Sequence, residues 1–112
     1  MMLTTIVLFA LAAVGGTVLT WMHLRDGDAP LVFAAGHGVL AAAGLVLLIW
    51  SVLQGGATGT LWAAVALFIV AALGGFYLMM KHLQGESLSS GLMLGHGGAA
   101  VVGLVLLLIA YF

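Results

Sequence analysis

The chain has 112 residues, 65% hydrophobic and 4% charged, with a formal net charge of −1 and a mean hydropathy of +1.37. A soluble domain carries roughly a quarter of its residues as charges, so water is not the main solvent of this chain. Its two basic residues argue against nucleic acid as a partner. Its lack of cysteine rules out disulfides, thiolate metal sites, thioether attachment of a cofactor and cysteine nucleophiles.

Four apolar stretches occur in order, at about 3–24, 31–53, 60–80 and 91–112. Each holds roughly 20 residues, the length at which a helix crosses a hydrocarbon core of about 30 Å. Backbone groups in lipid must pair within their own segment or within a closed barrel. The runs are continuously apolar rather than alternating, which selects helices. The first stretch opens on Met1-Met2-Leu3-Thr4-Thr5 without a basic leader, so a removable signal peptide is not expected. The predicted joints fall at 26–30, where Pro30 suits the first turn of the second helix, at 54–59 and at 84–90.

The second half of the chain repeats the first at one ungapped offset of 59 residues. His23 falls on His82 and His37 on His96, which accounts for all 4 histidines. Gly15-Gly16 falls on Gly74-Gly75, Gly36-His37-Gly38 on Gly95-His96-Gly97, and the run from Gly44 to Leu48 on Gly103 to Leu107. About a third of aligned positions are identical. Composition would supply many of these matches, but not every histidine. The expected fold is therefore all-α: a four-transmembrane-helix bundle of two tandem helix hairpins, about 2–53 and 61–112, forming one membrane domain over 1–112. An even number of crossings per unit relates the two by a pseudo-two-fold axis along the membrane normal.

Arg25, Asp26, Asp28, Lys81 and Glu86 all fall in or beside the joints at 26–30 and 84–90, so every charge belongs to one face of the bilayer. The positive-inside rule assigns that face to the cytoplasm. Trp21, Trp50, Trp62 and Tyr111 fall near helix ends, as expected of interfacial aromatic belts. The Gly91–Gly95 spacing fits a small-residue seam, which would permit a homodimer. No acid lies within the spans, so a Ser-His-acid hydrolase is not expected.

Helical rise gives the depth of each residue. Counted from the joint, His37 lies roughly 10 Å in, Gly15 and Gly16 roughly 13–15 Å, and His23 only about 3 Å. The second unit repeats these depths, giving one layer of two imidazoles and four glycines and a shallower layer of His23, His82, Arg25 and Lys81. An unpaired polar group in hydrocarbon is costly, so His37 and His96 require partners. The plain reading is that each imidazole bonds a backbone carbonyl or another helix while the glycines allow close packing. However, the stripes Ala34, His37, Ala41, Gly44 and Met93, His96, Ala100, Gly103 reduce the surroundings mostly to hydrogen and methyl. That much clearance suits a flat macrocycle, and neutral imidazole is a standard axial ligand for haem iron.

In these residues the chain resembles the four-helix haem-binding core of membrane b-type cytochromes, including the respiratory cytochrome b subunit. In that family the axial histidines lie on the second and fourth helices, and glycines on the first and third let the porphyrin lie against bare backbone. His37 and His96 match the ligand positions, and Gly15, Gly16, Gly74 and Gly75 match the glycine positions. The resemblance implies haem b, a quinone or redox-protein partner and a bacterial inner membrane as the setting. If the chain is an enzyme, it is a haem-dependent oxidoreductase. The family commonly carries a second histidine about four turns further along each ligand helix. Here those places are Ser51 and Ala110, so one haem is expected, near the charged face.

Three readings exist for His23 and His82. They are interfacial residues that snorkel, donors that meet haem propionates together with Arg25 and Lys81, or ligands of a second haem or metal beside Met22, Met79 and Met80. Two function classes remain. An electron carrier needs two imidazoles that saturate the iron. The alternative is a histidine-lined transition-metal binding or transport protein; compact cation–proton exchangers usually rely on an intramembrane carboxylate, which the spans lack, but a histidine-lined path survives that objection.

Overall fold

Each apolar stretch becomes one helix. In the computed structural model α1 spans Met2–Asp26, α2 Leu31–Leu53, α3 Gly59–Leu83 and α4 Ser90–Tyr111. The structure describes residues 1–27 and 29–112, and of Asp26 the backbone alone. The expected placing of Asp28 and of the Asp26 carboxylate at the charged face therefore lies outside the described residues. All four helices are long and apolar enough to cross a membrane, and the chain is an all-helical, multi-pass membrane protein. Its principal extents are 43 × 22 × 21 Å, so the long axis spans a hydrocarbon core of about 30 Å with both interfaces.

The ends of the helices follow local chemistry. Pro30 is the N-cap of α2, one residue ahead of the predicted position in the first turn. Thr58 and Ser89 cap α3 and α4, their hydroxyls accepting from the N–H of Leu61 and Leu92 at 3.3 and 3.2 Å. Helix α3 runs three residues past the predicted end, which puts Lys81 and His82 in its last turn, where a cation suits the helix dipole. Gly85 then adopts φ 70. Its N–H donates to His82 O and that of Glu86 to Lys81 O, both at 3.1 Å. These two bonds make a Schellman closure, which only a residue free of Cβ adopts cheaply. The closure brings Glu86 back onto Lys81, whose Nζ lies 2.9 Å from Oε2.

Packed neighbours run in chain order around the bundle: α1 on α2, α2 on α3, α3 on α4 and α4 on α1, with more contact within each hairpin than between hairpins. The diagonal pairs α1/α3 and α2/α4 face each other across the centre. The half of the bundle away from the charged end is filled. Leu48 and Leu107 are fully buried there, with Ile6, Val52, Ala64 and Val65 around them. Above this core Phe9 and Phe68 stack across the diagonal, centroids 3.9 Å apart and planes within 3°. Each ring lies on a glycine. A Cβ at Gly44 would meet Phe9 at 3.1 Å, and one at Gly103 would meet Phe68 at 3.3 Å.

Removing one of these rings leaves a void that neighbouring helices cannot fill. Phe68→Ala should destabilise the bundle by about 3 kcal/mol, the low end of the range for core aromatics, because lipid supplies no hydrophobic drive between helices. A drop in the thermal unfolding midpoint of the detergent-solubilised protein checks this; an unchanged midpoint would show that the stack contributes nothing.

Candidate functional site

The centre of the other half is open. A cavity of about 550 Å³ runs from His23 and His82 at the charged end down to the Phe9–Phe68 stack, with His37 and His96 on its walls. The predicted stripes face it: Ala34, His37 and Ala41 from α2, and Met93, His96 and Ala100 from α4. Such a volume lies within the usual range for small-molecule and cofactor sites.

His37 and His96 sit on diagonally opposed helices and both are half-buried. His37 Nδ1 donates to the carbonyl oxygen of Ala12 on α1 at 2.8 Å, and His96 Nδ1 to that of Ala71 on α3 at 2.6 Å. A carbonyl can only accept, so each Nδ1 carries the proton and each Nε2 keeps a free lone pair. The ring centroids are 6.1 Å apart with planes at 86°. The two imidazoles are thus anchored from behind by backbone and turned toward one central space.

The glycines are in contact with the imidazoles. A Cβ at Gly16 would lie 3.0 Å from His37 Cε1, and one at Gly75 would lie 2.8 Å from His96 Cε1. Gly15 and Gly74 approach the same residues only at ordinary distances, 3.8 and 3.6 Å. Gly16 and Gly75 also line the cavity, whereas Gly15 and Gly74 do not. The expectation that all four glycines offer bare backbone to a ligand thus divides. One glycine of each pair lies tight against the ring and lines the cavity, and the other meets the same histidine at ordinary distance without lining the cavity.

The shallow layer divides too. His23 and His82 line the mouth, and His23 Nε2 lies 3.1 Å from Ser90 Oγ. Arg25 and Lys81 do not line it. The Arg25 guanidinium lies 4.9 Å from the Trp21 ring centre, and Lys81 pairs with Glu86 beside Tyr77. Helical phase accounts for Arg25: two residues of helix turn by about 200°, so if His23 faces inward, Arg25 faces out. Trp21, Trp50, Trp62 and Tyr111 are exposed on the outer surface, as the aromatic-belt expectation requires. Gly95 also faces outward with open space where a Cβ would stand.

The sequence analysis missed Ala12 and Ala71, whose carbonyls hold the histidines, and Phe9 and Phe68, which close the cavity floor. Both pairs are identical matches at the same offset of 59, and that was the signal available. Among the described residues no three of His, Cys, Asp and Glu gather as a metal-holding group. Compared with protein-family models, with curated proteins and with solved structures, the chain finds no match in any of the three.

Proposed function

We propose that this chain is a membrane b-type haem protein that carries electrons, with His37 and His96 as the axial pair of a single haem. The observation that carries the reading is the pair of backbone-anchored imidazoles 6.1 Å apart across the cavity. A centroid separation of 6.1 Å would leave room between the rings for one metal ion held by both, given metal–nitrogen bonds of about 2 Å. The residues present therefore fit an axial pair, and walls of glycine and alanine leave room for a flat group. Such a group supplies reversible one-electron iron chemistry when bound, and two imidazoles leave it no open position for oxygen.

The protein's part is to bind, orient and keep water away. The Ala12 and Ala71 carbonyls hold the ligand rings in one orientation, as partners behind metal-binding histidines do. The Phe9–Phe68 stack and the packed core below it fill the half of the bundle away from the charged end, which favours one haem per chain. His23 and His82, which line the mouth, would donate to propionates at the interface. The donor or acceptor would be a quinol in the bilayer or a redox protein at the charged face.

The same reading extends to the architecture. The two hairpins are tandem repeats about an axis along the membrane normal. In support, His37–Ala12 recurs as His96–Ala71, Gly16–His37 as Gly75–His96, and Gly44–Phe9 as Gly103–Phe68.

Haem quantitation on protein purified from haem-replete cells tests stoichiometry. One haem per chain is expected, and two, falling to one in His23→Ala, would assign His23 and His82 as ligands instead. His23→Ala is expected to retain haem and lower its reduction potential, since uncompensated propionates favour the ferric state. Arg25→Ala, turned away onto Trp21, should leave the potential unchanged. Equal shifts in both variants would contradict the placement of His23 at the propionates.

A further inference from the structure

We infer that Gly16 and Gly75 are positioning residues that set the proton of each imidazole on Nδ1, by uncovering a helix carbonyl one turn earlier. Its use in ligation rests on the haem reading; the positioning itself does not. In an α-helix the carbonyl of residue i points toward the N–H of residue i+4, and the Cβ of that later residue leans back toward the helix N-terminus. A side chain at i+4 therefore shields the carbonyl oxygen of residue i from any donor on that face. Gly16 stands four residues after Ala12, and Gly75 four residues after Ala71. These are the two carbonyls that accept from His37 and His96.

The distances set these glycines apart from their neighbours. At Gly16 and Gly75 a Cβ would fall 3.0 and 2.8 Å from Cε1, the ring carbon between the two nitrogens. The flat edge of the ring occupies the place a methyl would take. An imidazole has no flexible end to move aside, so an alanine there must shift the ring or its helix relative to the carbonyl, by a few tenths of an ångström at Gly16 and by more at Gly75. At Gly15 and Gly74 the contacts of 3.8 and 3.6 Å accept a methyl without movement. Glycines that served only to bring helices together would be alike in this respect; these are not.

Nitrogen-15 NMR of histidine-labelled apoprotein in micelles reads the tautomer without any cofactor. In the wild-type protein His37 and His96 should each show a protonated Nδ1 and an unprotonated Nε2. Gly16→Ala should abolish the protonated-Nδ1 signal of His37 and spare that of His96, and Gly75→Ala should do the reverse. Gly15→Ala and Gly74→Ala should alter neither. A wild-type imidazole protonated on Nε2 would overturn the inference even if no variant folds, and so would a folded Gly16→Ala protein with His37 unchanged. Equal loss in Gly15→Ala and Gly16→Ala would return both glycines to simple helix packing. Failure of the wild-type protein to take up haem, with the tautomers as stated, would sink the cofactor and leave the positioning role intact.

Discussion

His37→Ala and His96→Ala should each abolish the low-spin haem spectrum, and the double variant should take up no haem in low-spin form. Among the described residues, each imidazole is one of two side chains offering nitrogen at the centre of the cavity wall, and each is anchored separately, on α1 or on α3. Loss of one ligand therefore leaves the other in place. Single variants should retain a fraction of haem in altered spin state, because one axial bond and the apolar cavity remain. The loss should not reflect unfolding: removing His37 frees the Ala12 carbonyl only to its own helix bond, and alanine favours the helix. Absorption spectra alongside far-ultraviolet circular dichroism separate the two outcomes. A full low-spin spectrum in the double variant would remove both residues as ligands.

Leucine at Gly16 or Gly75 should lower haem affinity at least ten-fold. Overpacking a filled site costs about 1–3 kcal/mol or more, and the first added carbon already lands 3.0 or 2.8 Å from a rigid ring. The remaining carbons of the leucine would extend into the cavity that these glycines line. Both the ligand and the space it faces are disturbed at once. Insertion of the helices should be unaffected, since leucine favours the hydrocarbon core. Haem titration of the detergent-purified variants checks the affinity. Unchanged affinity in both would mean that neither glycine bounds the haem site.

The fold was legible because lipid leaves few choices. Four runs of the right length can only be helices, and short joints make chain neighbours pack side by side. Depth was legible as well, because rise per residue is fixed: His37 and Gly16, counted inward from the joint, do meet. Direction was less so. The outward turn of Arg25 relative to His23 follows from helical phase, but grouping charged residues by depth alone placed them together. The partners of His37 and His96 were hidden for a different reason. They are carbonyls, which every residue possesses, and only packing decides which one is uncovered. Phe9 and Phe68 were hidden by composition, since one aromatic among 65% hydrophobic residues has no pattern to distinguish it. Their exact recurrence at the repeat offset was the remaining clue.

The most direct test is an absorption spectrum of the detergent-purified protein from haem-replete cells, recorded oxidised and then reduced with dithionite. A bis-imidazole b-type haem in the central cavity predicts a Soret band that sharpens and shifts on reduction, with resolved low-spin α and β bands and one extractable haem per chain. A folded, four-helix protein that shows no Soret band, and gains none when haem is added, would contradict it.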